Sequence, residues 1–250
     1  MQPVRQLLDL CRIPSRCWAC QSWAHSCFCD ACRIQLAPWG ESPARCTRCA
    51  LRVPWGIDTC ISCQRNPPPQ CYTIACLDYD APWVEWIQRF KFHGRPELAP
   101  AWANLMVKNL ALPSANGYIN SLPDHAWLLP IPISPERLRA RGYNQAWELA
   151  KHCAKRLGRK AKADVLQRVI DIPQQVGMTR AQRLQRLQGV FEINPIYLSA
   201  IQGQVIVLID DVYTTGATTS EAANTLLNAG ASSVIVWALA RTPAPDDEAS

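Results

Sequence analysis

Several things are missing from this 250-residue chain. No run approaches the ~18 consecutive apolar residues of an ordinary membrane-spanning helix, so no membrane insertion is expected. The N-terminus, MQPVRQLLDLCRIPSRC, has no apolar stretch followed by a small-residue cleavage site, so it does not read as a secretory signal. A cytoplasmic location is therefore expected. No GxxxxGK followed by Ser or Thr occurs, which excludes a Walker nucleotide loop. No Ser-His-Asp or Cys-His pattern can be argued. Charge is sparse at 18%, against 48% hydrophobic residues, which makes a buried core feasible and excludes global disorder. The length suits one large domain or two modest ones.

Cysteine, in contrast, is abundant. Twelve of the 13 cysteines precede residue 77, and eight form four CxxC pairs: Cys17–Cys20, Cys29–Cys32, Cys46–Cys49 and Cys60–Cys63. A CxxC turn aims two thiolates at one ion, and two such turns complete a tetrahedral zinc site. Two zinc ions, each on four cysteines, are expected. Sequential pairing of the knuckles is preferred and interleaving stays open. A disulfide framework is disfavoured where no export signal is present. A redox CxxC lacks its βαβ context. Cys11, Cys27, Cys71, Cys76 and Cys153 are spares, of which Cys27 or Cys71 can replace a ligand, as can His25. Cys153 lies on a helical stretch and reads as a small buried hydrophobe.

The net charge of +6 is unevenly spread. Residues 1–70 carry +4, 71–130 carry −1, 131–190 carry +9 and 191–250 carry −6. The basic block is either a solvated face or a surface that faces phosphate. Trp18, Trp23, Trp39 and Trp55 lie among the eight arginines of the cysteine-rich segment. They either supply its scarce core or stack on unpaired bases. Trp83, Trp86, Trp102, Trp127, Trp147 and Trp237 read as packing residues.

Residues 1–70 are too loop-rich to fold on burial alone, so metal is expected to substitute for a core. Asn66-Pro67-Pro68-Pro69-Gln70 is a stiff linker and the expected boundary. Residues 71–242 then read as an α/β domain and 243–250 as a disordered tail. CYTIACLDY is strand-like, and APWVEWIQRFKF opens a helix at a proline. Residues 97–112 read as a second helix and 114–124 as a polar loop. WLLPIPI (127–133) is a buried strand, and 144–157 a helix closed by Gly158. ADVLQRVI and GVFEIN are further strands, around a basic turn or helix at 179–187. QVIVLID (204–210) has the composition of a central parallel strand. Residues 217–229 form a helix closed by Gly230, and SSVIVWALA is the next strand. The alternation implies βαβ units in an open α/β sheet.

The most specific signal is VIVLIDDVYTTGATTSEAA (205–223). A buried strand ends in Asp210 and Asp211. The turn Thr214-Thr215-Gly216-Ala217-Thr218 then enters a helix. Such a turn offers backbone N–H groups, hydroxyls and a helix N-terminus to a phosphate. Gly216 permits close backbone approach. The paired carboxylates suit sugar hydroxyls, so the whole matches a ribose 5-phosphate. The apolar run, DD, two variable residues and TTGxT resemble the signature of the type I phosphoribosyltransferases. That resemblance implies binding of phosphoribosyl pyrophosphate (PRPP) with Mg²⁺, with Asp210 and Asp211 as the catalytic carboxylates.

A longer match narrows the reading. LLPIPISPERLRARGYNQAWELAK (128–151), LQRVIDIPQQVGMTRAQRLQRLQGVFEI (166–193), IQRFKFHG (87–94) and the four knuckles resemble the ComF family of competence and DNA-utilisation proteins. The resemblance covers nearly the whole chain. It implies a double zinc ribbon joined to a type I phosphoribosyltransferase-like domain. It places Arg137, Arg139, Arg141, Asn144 and Gln145 on or just after the pyrophosphate-binding loop. It makes 174–188, with Arg180, Arg183 and Arg186, a loop that closes over substrate, and it makes Lys91 a site candidate. Where some purine-type enzymes carry an Asp near the base, this chain has Thr214, so no acid/base role attaches to that position. The implied role is DNA uptake or utilisation in natural competence, with single-stranded DNA and a helicase as partners. The alternative is an active phosphoribosyltransferase with an unidentified acceptor.

Overall fold

The computed structural model describes residues 15–25, 28–32, 44–110, 122–170 and 189–243. By packing, the chain divides into two compact units, 1–42 and 43–250. The second pair of knuckles and the Asn66–Gln70 linker both lie in the second unit. The expected tail lies, from residue 244 on, outside the described residues, as do Cys11, Cys27, Trp39 and the arginines at 180, 183 and 186.

In the first unit, β1 (Ser15–Arg16) pairs antiparallel with β2 (Trp23–Ala24). Its described buried cluster is Cys17, Ala24 and Cys32, with Cys29 against it, which is too little apolar surface to fold on.

The second unit opens with the knuckle region and the short helix α1 (Ile61–Arg65). It continues through β3 (Tyr72–Asp78), α2 (Trp83–Phe92), a 3₁₀ turn and α3 (Ala99–Leu110). Then come β4 (Trp127–Pro130), α4 (Pro135–Arg141), α5 (Gln145–Leu157), β5 (Lys160–Ala161), β6 (Leu166–Arg168) and β7 (Phe191–Ile193). The chain closes with β8 (Val205–Tyr213), α6 (Ala217–Asn228) and β9 (Ser233–Arg241). Five strands form a parallel sheet in the order β3-β9-β8-β4-β5.

The expected α/β organisation stands, with local differences. The strand expected from ADVLQRVI does not enter the parallel sheet: β6 pairs antiparallel with β7 as a separate ribbon. Its place at the sheet edge is taken by the two-residue β5, too short to leave a pattern. The strand expected over 127–133 ends at Pro130, because Pro132 cannot donate to a ladder. The stretch after it is a helix, α4. Ser134 caps it by accepting from the Arg137 N–H, Pro135 stands in its first turn, and Gly142 ends it at φ +79°.

Ile206 and Leu208 of β8 join Val234, Val236 and Ala238 of β9 in one apolar cluster with Ala222, Ala223 and Leu226 of α6. Cys46, Cys49 and Cys63 belong to that cluster too, so the second knuckle pair packs as core of this unit. α3 and α5 pack against each other and against the sheet. α5 turns Ala146, Leu149, Ala150, Cys153 and Ala154 inward, so Cys153 is the small buried hydrophobe expected.

Candidate functional site

β4 leads outward to β5, and β8 leads outward the other way to β9. The two adjacent strands β4 and β8 therefore mark the point where strand order reverses, and ligands of open α/β sheets bind outside the carboxyl ends at such a point. A cleft of about 160 Å³ lies there. Ile131–Ile133 after β4, Arg137 and Arg141 of α4, and Asn144 and Gln145 line one side. Asp210, Asp211, Tyr213, Thr214, Gly216, Thr218 and Thr219 line the other, with Lys91 and Arg168 completing the wall.

The carboxylates have unequal environments. Asp211 is buried, and its two oxygens lie 3.1 and 3.0 Å from Lys91 Nζ. Burial raises the Asp210 carboxyl well above the usual range, and the Asp211 charge raises it further. Two carboxylates adjacent in sequence, one of them paired with the Lys91 ammonium, form an oxygen-only donor set. It accepts hydroxyl donors or a hard divalent cation and would repel a phosphate. The turn beyond has the opposite character. Gly216, at φ +77°, is the N-cap of α6 and provides no side-chain cap. The Thr215 hydroxyl serves the Ala217 N–H at 3.4 Å, which leaves the next first-turn amides for an anion.

The RGYNQ segment (141–145) resolves into separate roles. Arg141 lines the cleft, and desolvation depresses its guanidinium although the Asp211 charge opposes the shift. The Tyr143 hydroxyl donates to the Phe90 carbonyl on α2. Asn144 caps α5, accepting from Ala146 N–H and Trp147 N–H, and donates to the Ile131 carbonyl at 3.1 Å. Gln145 donates to the Lys91 carbonyl at 2.9 Å and accepts from Arg141 at 3.2 Å. Gln145 thus holds the Arg141 side chain and the Lys91 backbone in place, Asn144 ties α5 to the segment after β4, and both line the cleft.

The cleft brings together most of the expected residues. Arg139 is exposed on α4 and does not line it, nor do Thr215 and Ala217. Arg180, Arg183 and Arg186 fall outside the described residues. Arg168 and Tyr213 are additions. Arg168 comes from the β6–β7 ribbon, whose place beside the cleft has no sequence signal. Tyr213 occupies a variable position of the loop signature.

The other chemistry sits in two groups, Cys17/Cys20/Cys29/Cys32 in the first unit and Cys46/Cys49/Cys60/Cys63 in the second. In each, all four sulfurs lie within 4.8 Å of one another. The pairing is sequential, and neither His25 nor Cys71 takes part. Sulfurs about 3.8 Å apart are what Zn–S bonds of ~2.3 Å require in a tetrahedron, and Cys20–Cys29 and Cys49–Cys60 are each 3.7 Å apart. The two leading knuckles are built alike. Cys17 N–H bonds the Ser22 carbonyl and Gln21 N–H the Cys17 carbonyl; Cys46 N–H bonds Leu51 and Ala50 N–H bonds Cys46. Gln21 and Ala50 adopt left-handed φ of 62° and 57° to close these turns. Four thiols this close cannot share one protonation state. The hydrogen bond between Cys46 and Cys49 pulls Cys46 down and pushes Cys49 up. A cation would resolve that conflict, so both groups fit a zinc-ribbon ion.

The tryptophans of the cysteine-rich segment divide. Trp18 packs edge-on against Phe28 at 5.4 Å. Trp23 and Trp55 are 72% and 91% exposed and supply no core. No described helix is long and apolar enough to cross a membrane.

Fold and site together define an open parallel α/β protein with a cleft lined by carboxylates, basic side chains and a Thr/Gly turn, and with two four-cysteine groups that could each hold a metal ion. The chain matches no family model. It is 29% identical over 233 residues to the DNA utilization protein YhgH of Salmonella typhimurium, which covers 92% of this chain and 98% of that protein. It is 27% identical over 230 residues to Competence protein F of Haemophilus influenzae, covering 90% and 96%. Competence protein ComFC of Bacillus subtilis is 33% identical over 166 residues, 66% of this chain and 62% of that protein. Two crystal structures are also similar: TT1426 from Thermus thermophilus, with a TM-score of 0.33, 16% identity and 59% and 84% coverage, and a hypoxanthine phosphoribosyltransferase from Staphylococcus aureus, with 0.31, 12%, 56% and 63%. The chain is a homologue of the ComF-type competence and DNA-utilisation proteins along nine-tenths of its length.

Proposed function

We propose that the cleft binds PRPP or a related ribose phosphate with Mg²⁺, and that the protein serves DNA uptake or utilisation by handling single-stranded DNA. One observation carries the ligand reading. Paired carboxylates and an uncapped helix N-terminus face the same cleft from consecutive segments, 210–211 and 214–219. Ribose hydroxyls would donate to Asp210 and Asp211, and the 5-phosphate would take the amides and hydroxyls of 214–219. Asp210 and Asp211 would also hold Mg²⁺, which supplies charge neutralisation for the pyrophosphate. Arg137 and Arg141 face that charge. Zinc in both four-cysteine groups accompanies this reading. Calorimetry with PRPP and Mg²⁺ tests it: binding by the native protein and its loss in Asp210→Ala/Asp211→Ala are expected, and no heat with the native protein sinks it.

The DNA role rests on the relatives' names and on the exposed Trp23 and Trp55, with Arg16 5.9 Å from the Trp23 ring centroid. The partner helicase and the cytoplasmic location belong to the same proposal. Single-stranded DNA affinity should fall steeply with salt and weaken when both tryptophans become alanine. An unchanged affinity in that variant counts against base stacking by either tryptophan.

A second reading is favoured by Lys91, Arg137 and Arg141 lining the same cleft as the two carboxylates. Such a cationic wall would stabilise departing pyrophosphate, as a transferase requires. Pyrophosphate release that depends on an added acceptor would decide for it.

A further inference from the structure

The second four-cysteine group is wired to the phosphate-type turn through two buried polar side chains that neither site's chemistry uses. The Cys46–Cys49 knuckle presents the carbonyls of Arg48 and Cys49 inward. Thr73 Oγ1 donates to the Arg48 carbonyl at 2.8 Å, and Gln70 Nε2 lies 3.2 Å from the same oxygen. Gln70 is fully buried, and its Nε2 reaches the Tyr213 hydroxyl at 3.1 Å. Arg241 Nε donates to the Cys49 carbonyl at 3.0 Å, while its guanidinium lies 5.3 Å from the centroid of the Tyr213 ring. Two side chains bonded to the knuckle carbonyls thus reach the phenol, Gln70 at its hydroxyl and Arg241 over its ring.

The same phenol carries the turn. A Cβ built on Gly216 would lie 2.1 Å from the Tyr213 hydroxyl oxygen and 2.5 Å from Cζ, so the turn backbone rests directly on the ring. Tyr213 is 1% exposed, so a tilt of its ring must displace Gly216 or the Gln70 and Arg241 side chains that are bonded to the knuckle carbonyls. Whatever fixes the knuckle therefore fixes the height of the turn whose amides face the cleft.

We infer that Gln70 and Tyr213 are positioning residues that couple occupancy of the Cys46/Cys49/Cys60/Cys63 metal site to the shape of the 214–218 turn, so that metal and ribose phosphate bind with mutual reinforcement. The inference rests on the ligand reading proposed above. Coupling between two sites is reciprocal: if metal tightens the turn around its ligand, ligand must slow loss of the metal. A role confined to folding predicts a native-like slowing in Tyr213→Phe and Gln70→Leu as well, because a ligand that binds only the folded chain opposes metal loss through unfolding whatever these two side chains do.

The test uses the full zinc-loaded chain and PRPP with Mg²⁺. Calorimetry first establishes binding by the native protein; its absence overturns the ligand reading itself and this inference with it. Zinc release to a chromogenic chelator is then followed with and without PRPP, in the phase that Cys60→Ser removes. At least a three-fold slowing by PRPP is expected for the native chain. No slowing is expected in Asp210→Ala/Asp211→Ala, which controls for PRPP acting on the chelator. Tyr213→Phe and Gln70→Leu should keep two zinc ions per chain, bind PRPP several-fold more weakly and bring the release ratio to about one. Native binding with a ratio of one overturns the coupling and leaves the ligand reading standing. So does a native-like ratio in Tyr213→Phe.

Discussion

Asp210 and Asp211 are neighbours in sequence and opposites in circumstance. Lys91 neutralises Asp211, whereas burial and the Asp211 charge hold the Asp210 proton above the carboxylate range. An acid whose folded pKa is raised costs no stability at pH below its unfolded value, near 3.8, and costs progressively more as pH rises toward the folded value. Asp210→Asn should therefore raise the melting temperature at pH 7.5, with the gain vanishing as the pH approaches 4; thermal melts across that range check it. Asp211→Asn has a different cost, since it leaves Lys91 without its partner and removes a charged acceptor from the cleft. PRPP affinity should drop at least ~10-fold, the scale of a lost hydrogen bond to a charged group, and titration calorimetry reads it.

At the scale of elements, the cleft depends on how two helices begin. α5 is capped by Asn144, which accepts from two first-turn amides and reaches back to Ile131. Asn144→Ala should cost ~1 kcal/mol or more in urea unfolding and weaken ligand binding, because the same residue ties the helix to the β4 loop. α6 begins instead with an uncapped left-handed glycine lying on Tyr213. Gly216→Ala meets a positive φ and a Cβ-to-oxygen distance of 2.1 Å, so the turn must move. PRPP binding should fall by more than in Asn144→Ala, which calorimetry of both variants decides. Asp78, at the end of β3, is a third structural tie. Burial works to raise it, but the Arg52 hydrogen bond and the Arg45 charge leave it lowered. That stability is present above the unfolded carboxyl value and is lost as the pH falls through the lower folded one.

For the molecule as a whole, the two metal groups should behave differently. The described part of the first unit has three buried residues in its cluster, two of them cysteines, so metal stands where its core would be. The second group is embedded in the cluster that includes α6 and the sheet. Native protein should carry two zinc ions per chain by elemental analysis, and a value near one would refute the double site. Under a strong chelator, limited proteolysis should cut within residues 15–32 well before the parallel sheet.

How much of this was legible beforehand depended on range. The eight cysteines, the DD-turn and the α5 caps are written in adjacent residues, because knuckles, turns and helix ends are local structures. Interleaved pairing of the knuckles stayed open in the sequence, since spacing does not say which turns meet. Arg139 and Arg141 looked equivalent on one segment, and only the helical turn of α4 faced one to the cleft and the other to solvent. ADVLQRVI had the composition of a sheet strand, yet its pairing with β7 was a choice among partners that no strand carries in itself.

By itself, then, the sequence determined the four cysteine knuckles, the Asp-Asp strand end with its Thr/Gly turn and the α/β class, each a property of residues a few positions apart. The tertiary structure alone decided that the second cysteine knuckle is linked through Gln70 and Tyr213 to the 214–218 turn. Gln70, Thr73 and Arg241 reach that knuckle from distant segments, and Tyr213 meets it only because β8 lies at the centre of the sheet, between β9 and β4.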